Sequence, residues 1–497
     1  SSRRRHTRFR NVTGVQTCAL PILKRYVATK DNTIVNVFNS NILARATNAN
    51  MGASDILEVF SIYGKQANSS SIEASRILVD FPVDAIIADR VSKKIGQSGN
   101  VQFILKLSNA VHGDSTPSNF DLVVSPLSKS WEEGYGMDME TYSDTGYSNW
   151  VSASNNSAWN AEGGDFLNAE FKQNFPIGTE DLEIDITSLV ENWIDNSIDK
   201  NGLIVKLSSS QENSDISYYT KKFFARGSEY FYKRPWIEAR TDDSFGDDRD
   251  NFILSSSLLD TENLNTLVFY NVVNGKLKNI PTVGTGSNLY VSLYSGDTGP
   301  SGYALQLHNG QAKVQAGFYK TGIYTASLAV NTTSSCLFDV WFSGSTVESS
   351  ASIIFGTGDR ITTKEYSAEF NSENPEYVLN IKNLKNSYSN LETANIRIYA
   401  RDKYWSPNIY SISSKESENV IIKNLFYKIV RIQDLLEVVP YGTGTMNHTR
   451  TSYDSEGNYF NFDMSLLERD YAYQIKFGYI YGDTFFELNE SFKFRVE

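Results

Sequence analysis

Apolar and polar residues alternate along most of this chain with the period of two expected of a half-buried β-strand. Val101, Phe103, Leu105 and Leu107 alternate with Gln102, Ile104 and Lys106, and Leu182, Ile184 and Ile186 alternate with Glu183 and Asp185. Between residues 34 and 240 the period changes once. Ser188-Leu-Val-Glu191 has the spacing of a capping box, and Leu189/Trp193 and Val190/Ile194 are apolar pairs four residues apart, which predicts a single short amphipathic helix. Asn201-Gly202 marks a turn before Leu203, Val205 and Leu207. An aromatic run from Tyr218 to Phe224 and a strand from Trp236 to Arg240 close the block.

An aspartate-rich run, Asp242-Asp-Ser-Phe-Gly-Asp-Asp-Arg-Asp250, then breaks the pattern and reads as an acidic, solvated linker over 241–251. Strands resume at Leu267/Phe269, Leu289/Val291/Leu293, Val314 to Phe318, Ile323 to Val330 and Leu337 to Phe342. Turn signals at Gly284-Thr-Gly286, Gly299-Pro300 and Asn309-Gly310 separate them, a spacing that suits a sandwich of about 100 residues. Beyond a serine-rich patch at 343–352, strands are predicted around Val378/Asn380/Lys382, Ile396/Ile398 and Tyr471 to Tyr481. The fold class predicted is all-β, as tandem β-sandwiches. A larger jelly-roll-like domain with one short helix occupies 23–240, and two immunoglobulin-like domains follow at 252–362 and 363–497.

A chain of 497 residues is too long for one core, which agrees with this division. Aromatics at 13%, mostly Tyr and Phe, favour strands over helices. Residues 1–22 hold five arginines and no acid, lack an initiator Met, and resemble the translated sequencing-adapter segment found at the ends of metagenomic reading frames. They are expected to lie outside the fold, with the true N-terminus not included. The rest carries 41 basic against 58 acidic residues, a net −17 that repels phosphate backbones, so no nucleic-acid partner is expected. No window of about 18 apolar residues exists, so no membrane-spanning segment is expected either. Cys18 and Cys336 are too few for a disulfide framework, and Cys336 reads as a small core side chain.

Chemistry-bearing patterns are sparse. Three of the seven tryptophans fall between Ser130 and Phe166, in a stretch that otherwise looks like a loop. Trp131, Tyr135, Trp150 and Trp159 are the candidate ligand-contact surface, which would suit a glycan if two or more indoles are exposed on one face. Glu132, Glu133, Asp138, Glu140 and Asp144 lie among them, where two acids flanking a sugar would make a glycosidase or lyase cleft. The plainer and favoured reading is solvated acids, with the tryptophans capping one end of a sandwich. His112, His308 and His448 lie in different blocks without a metal spacing, and no Gly-x-Ser-x-Gly elbow is present. Asp242, Asp243, Asp247 and Asp248 are candidate Ca2+ ligands, although the run lacks EF-hand order and a plain linker is favoured. Otherwise no cofactor is expected. Gly284-Thr-Gly286 and Gly442-Thr-Gly444 read as turns, not phosphate loops.

Four pieces of the first block resemble the DNRLRE domain, a β-sandwich module of surface and secreted proteins. They are Trp131-Glu-Glu-Gly134; Trp159 with Gly163-Gly-Asp165-Phe166; Asp185-Ile-Thr-Ser-Leu-Val-Glu-Asn-Trp193 with Asn201-Gly202-Leu203; and Phe224-Ala-Arg226-Gly-Ser-Glu229 before Lys233-Arg-Pro235-Trp-Ile-Glu-Ala-Arg. In the last piece Arg226-Gly-Ser-Glu229 departs from the tighter Ser-Arg-Glu of that family. Over its whole length the chain also resembles virion structural proteins of marine tailed phages. The matching stretches are Asn50-Met-Gly-Ala-Ser-Asp-Ile-Leu-Glu-Val-Phe60, Tyr230 to Arg240, Gly322-Ile-Tyr-Thr-Ala326 and Phe492-Lys-Phe-Arg-Val-Glu497. This second likeness implies a non-enzymatic role in a particle assembled in bacterial cytoplasm, with other virion proteins as partners and a homo-oligomer as the expected state. The alternative it leaves is a glycan-binding adhesin at a cell surface or on a tail fibre, and after that a polysaccharide-cleaving enzyme.

Overall fold

Every side chain of the strand Leu203–Leu207 is buried, which requires cover on both of its faces. The computed structural model describes residues 23–39, 44–66, 69–92, 94–113, 116–137, 139, 146–242, 244–254, 264–364, 375–404, 419–444 and 446–497. Leu203–Leu207 lies inside a seven-stranded sheet in the order Tyr218–Phe224, Ile56–Gln66, Ser69–Asp80, Leu203–Leu207, Phe120–Pro126, Phe171–Phe175, with Lys30–Asn36 also paired to Ser69–Asp80. A four-stranded sheet of Leu23–Val27, Trp236–Arg240, Gln102–Leu107 and Leu182–Asp185 supplies the other wall of the first sandwich. Leu57, Val59, Ile77 and Val79 meet Phe103, Leu105, Leu182 and Ile237 in the core between them.

The predicted alternation of Phe103, Leu105 and Leu107 points these residues into that core. Ile104, on the opposite face, is buried as well. The expected helix spans Thr187–Ile194 and buries Leu189, Val190 and Trp193. The capping box does not form. Asp185 Oδ1 instead accepts from the Thr187 N–H at 2.9 Å and its hydroxyl at 2.6 Å, while Glu191 pairs with Arg90 at 2.6 Å. Arg90 belongs to a helix that the sequence reading missed, Val83–Val91, which follows Pro82 and buries Val83 and Ile86. A third helix among the described residues is the single turn Ser209–Glu212.

The middle block carries its strands in one path: Phe252–Ile253, Ile361–Lys364, Cys336–Ser343, Leu289–Ser295, Val314–Lys320, Ile323–Leu328, Asn265–Tyr270, with Ile353–Thr357 on Cys336–Ser343. Val314–Lys320 pairs with Leu289–Ser295 through residues 314–316, then with Ile323–Leu328 from residue 317 onward. It therefore turns the corner between two layers. Leu267, Leu289, Val291, Leu293, Leu337 and Trp341 fill the space between. The third block packs a four-stranded sheet (Tyr377–Ile381, Thr393–Asp402, Gly457–Asp463, Ser452–Asp454) on a five-stranded one (Ser387–Tyr388, Thr484–Val496, Ala472–Tyr481, Leu425–Arg431, Glu437–Val439). The molecule is nearly all-β and multidomain, with sandwich cores.

The first and third sandwiches share material. Leu23, Tyr232 and Trp236 from the first belong to the apolar core of the third. Tyr232 Oη is 2.8 Å from Tyr473 Oη and accepts from the Glu468 N–H at 2.7 Å. Arg25 lies over the Trp236 ring at 4.6 Å, donates to the Val438 carbonyl at 2.6 Å and pairs with Glu238 at 2.8 Å. Burial would raise the Glu238 carboxyl, but the charges of Arg25, Arg240 and Lys106 outweigh it and hold the group down at about 2. An unfolded glutamate titrates near 4.5, so this carboxylate contributes stability above that pH, and the contribution is lost as pH falls toward 2. Thermal melts of the wild type should therefore drop between pH 4.5 and 2.5 more steeply than those of Glu238→Gln, which has no proton to gain. Parallel slopes would remove Glu238 as the source.

Candidate functional site

The outer face of the seven-stranded sheet explains where the tryptophans go. Strand Ser69–Asp80 turns Ile77 and Val79 inward and presents Ile72, Ala74 and Leu78 on the other side, where Ile34, Leu127 and Ile204 join them. Trp131, Trp150, Trp159, Ala153 and Phe166 lie down on that apolar face. The three indoles are 3%, 6% and 6% exposed. Trp131 Nε1 donates to the Asn201 carbonyl at 3.0 Å and Trp159 Nε1 to the Asn149 carbonyl at 2.8 Å, so their polar atoms are consumed internally. The expected ligand-contact surface is thus corrected: three of its four residues form a second core. Only Tyr135, 64% exposed, stands in solvent, with its ring against Tyr147.

Arg76 rivets this cover to the sheet. It forks onto Glu212 through two 2.7 Å bonds, donates to the Gly163 carbonyl at 2.8 Å, and stacks 4.9 Å from the Trp150 ring. Gly163 has φ +86°, and a Cβ there would fall 2.6 Å from the guanidinium. The Trp-Glu-Glu-Gly-Tyr-Gly stretch is held just as closely. A Cβ on Gly134 would meet the buried Asn50 carboxamide at 2.3 Å, and one on Gly136 the Asn50 backbone carbonyl at 2.0 Å, so close backbone approach requires the glycine at 136. Glu133 meets Arg226 in a two-pronged pair and accepts the Asp31 N–H at 2.8 Å, while the Arg226 N–H donates to Asp31 at 2.6 Å. Burial, with the Glu133 charge adding to it, pushes the Asp31 carboxyl up to about 7. The pieces around Trp131–Gly134 and Phe224–Glu229, far apart in sequence, are joined by this cluster. Glu132 is exposed, and Asp138, Glu140 and Asp144 lie outside the described residues.

Beside this cover a groove of about 730 Å³ stays open, lined by Phe38, Glu58, Phe60, Glu73, Tyr219, Thr220 and Lys222 among others. A β-bulge between Tyr218 and Lys221 shifts the register of the edge strand against Ile56–Gln66 and turns Tyr219 and Thr220 toward the groove. Tyr219 is 52% exposed. Glu58 accepts from the Thr220 hydroxyl at 2.7 Å and pairs with Lys222 at 3.5 Å, and Glu73 accepts from the Phe38 N–H at 2.7 Å. Aromatic faces and fixed hydrogen-bonding groups are thus presented together. Alternating strand signals locate the strands here but say nothing of a bulge, so sequence reasoning missed this groove.

The acidic segment is the second correction. Asp247, Asp248 and Arg249 are buried, not solvated. Asp248 accepts from the Thr266 N–H at 2.8 Å and the Tyr453 hydroxyl at 3.1 Å and pairs with Lys423 at 2.9 Å. Asp247 accepts from the Arg249 N–H at 3.2 Å, and burial pushes it up to about 7. Asp242 pairs with Arg450 at 2.7 Å, and Asp243 lies outside the described residues. Arg249 forks onto Asp339 at 2.6 and 2.8 Å, and the Trp341 Nε1 donates to the same carboxylate at 2.6 Å. Burial would raise Asp339, but Arg249 holds it below the ordinary carboxylate range. These acids serve the domain junction, and among the described residues no group of three or more His, Cys, Asp or Glu is arranged to hold a metal. Cys336 is buried on the strand Cys336–Ser343, and no helix among the described residues is long and apolar enough to cross a membrane.

No family model and no curated protein matches the chain. Among solved structures, the native conformation of an E. coli alpha-2-macroglobulin aligns at TM-score 0.16 and 7% identity over 94% of this chain, which spans about a quarter (26%) of that protein's length. A tetra-tandem repeat from the extending region of a large adhesion protein aligns at 0.15 and 8% identity, covering 77% of this chain and 68% of the other. A Salmonella alpha-2-macroglobulin reacted with methylamine gives 0.15 and 7% over 96% and 26%. Likenesses this weak carry no functional argument.

Two substitutions test the geometry. Trp150→Ala should cost about 3–5 kcal/mol in denaturant melts, as a buried indole does, and loss of less than about 1 kcal/mol would mean that the cover is not part of the core. Arg249→Met should cost about 3–5 kcal/mol by stranding Asp339, while adding Asp339→Leu should recover most of it. Equal losses in the single and double variants would contradict a buried pair.

Proposed function

We propose that the chain is a non-enzymatic structural component of a tailed-phage virion, assembled in the bacterial cytoplasm, with other virion proteins and copies of itself as partners. The observation that carries this reading is the braced junction. The segment from Asp242 to Asn251 bonds to the middle sandwich through Thr266 and Asp339, and to the third through Arg450 and Tyr453. The first and third sandwiches also share the Tyr232–Trp236 contacts. A chain tied this way holds a fixed shape, which a particle subunit needs and a flexible tether does not. Exposed Tyr135, Met137, Tyr230 and Tyr303 supply the kind of side chain that subunit contacts favour. The sequence likeness to virion proteins supports the same reading. Light scattering coupled to size exclusion, run at rising concentration, should resolve a discrete homo-oligomer. A strictly monomeric chain at every concentration would remove the proposal.

A second reading, glycan binding at a cell surface or on a tail fibre, has one specific observation in its favour: the groove with Tyr219 at its edge. A glycan array should then give hits that Tyr219→Ala abolishes without lowering the melting temperature. Binding that survives this substitution would place any glycan elsewhere.

A further inference from the structure

Lysine is almost never fully buried, yet Lys221 is 1% exposed on the inner side of the edge strand Tyr218–Phe224. Its Nζ lies 2.6 Å from Asn109 Oδ1 and 2.8 Å from the carbonyl oxygens of Gly178 and Glu180. It also stands over the rings of Phe175 and Phe223, at 5.2 and 4.9 Å. These oxygens satisfy an ammonium and the ring faces attract it, but removal from water disfavours the charge. Burial pulls the group down to about 8, against the charges of Asp181 and Glu180, which favour the protonated form. A substantial fraction of the amine is therefore neutral in mildly alkaline solution, the state in which a desolvated lysine acts as a nucleophile.

Asn109 is held in place by backbone pairing. It follows the strand Gln102–Leu107 and bridges Phe223 in antiparallel register, with Ala110 N–H to Lys222 O and Phe224 N–H to Ser108 O both at 3.0 Å. Its own N–H donates to Asp181 Oδ1 at 2.7 Å. A carbonyl bond is about 1.23 Å, so the carboxamide carbon of Asn109 lies within about 3.8 Å of Nζ. That borders the roughly 3–3.5 Å range of a near-attack arrangement.

We propose that Lys221 and Asn109 join in an intramolecular isopeptide bond. The neutral Nζ attacks Cγ of Asn109, the Nζ–Cγ bond forms, the Cγ–Nδ2 bond breaks, and Nδ2 leaves as ammonia. The proton shed by Nζ passes to the departing nitrogen through the Asp181 carboxylate, which already holds the Asn109 N–H and whose charge acts on Lys221. No electron changes hands, so neither oxidant nor reductant is required. The product ties the segment that follows the strand Gln102–Leu107 to the last strand of the seven-stranded sheet, across a sequence separation of 112.

Intact-mass spectrometry of the full chain, denatured after incubation at pH 8, tests this without needing any variant to fold. The expected mass is about 17 Da below that of the expressed sequence, the loss of one ammonia on amide exchange at an activated lysine, and a protease digest should yield one branched peptide containing both residues. Asn109→Ala and Lys221→Met should each run at their full sequence masses. Asp181→Asn should convert more slowly, and conversion at the wild-type rate would overturn its role as proton carrier. A wild-type chain that keeps its full mass, or gains about 1 Da by simple hydrolysis of the carboxamide, overturns the bond itself.

Discussion

Apolar side chains on both faces of one sheet impose the constraint from which the first domain follows. Ile77 and Val79 face one way from the strand Ser69–Asp80 while Ala74 and Leu78 face the other, so one layer cannot satisfy it. The four-stranded sheet covers the inner side. The loop carrying Trp131, Trp150 and Trp159 covers the outer side, because three indoles bring enough area to do so with only the short ladder of Ser152–Ser154 on Ser157–Ala158. Loops normally avoid burial because their backbone groups go unpaired. This one meets that cost with internal partners: Trp150 N–H to Thr47 O, Gly163 N–H to Trp150 O and Glu132 N–H to Ala153 O.

A parallel logic governs the charges. Acids in a sequence are ordinarily read as solvated, yet Asp248, Asp339 and Glu238 are all buried, and each has a named cation within 3 Å. Buried pairs of this kind add little net stability, but separation of the partners is costly, so they resist partial opening. Asp248 reaches across to Lys423 of the third sandwich, and Arg249 ties the same junction segment to Asp339 of the middle one, so domain separation strands Asp248. That is the physical basis for treating three cores as one body.

Much of the architecture was legible. Strand positions in the middle block, from Leu289/Val291/Leu293 to Leu337–Phe342, followed from the period of two, because each of those strands has one strongly apolar face. The helix at Thr187–Ile194 followed from Leu189/Trp193, whereas Val83–Val91 was missed: its apolar spacing is interrupted by Asp84, Asp89 and Arg90 and it follows a proline. Burial of the tryptophans was not legible, since nothing in an aromatic loop states which way its rings face. The acidic run misled for a related reason. Its single arginine, Arg249, finds its carboxylate 90 residues away, a pairing that no local pattern encodes. Arg76, the one basic residue of the strand Ser69–Asp80, was the available hint that the outer face carried a partner.

Where the cover stops, the open edge begins. Tyr218–Phe224 ends the seven-stranded sheet; the segment 108–110 pairs with its residues 222–224, and an edge left unpaired beyond them invites pairing with another chain. Here the strand is bulged between Tyr218 and Lys221, which spoils its register for a new strand, and its middle carries two lysines. One of those, Lys222, turns outward to the groove; the other, Lys221, turns inward to the carboxamide of Asn109. An inward charge on an edge strand is itself a known protection against edge pairing. That protection explains a lysine at this position, but it asks only for a charge and is indifferent to the neighbour. The segment 108–110, stitched to residues 222–224 on both sides, holds one particular carboxamide against that amine, and this specificity is what a purely protective role leaves unexplained.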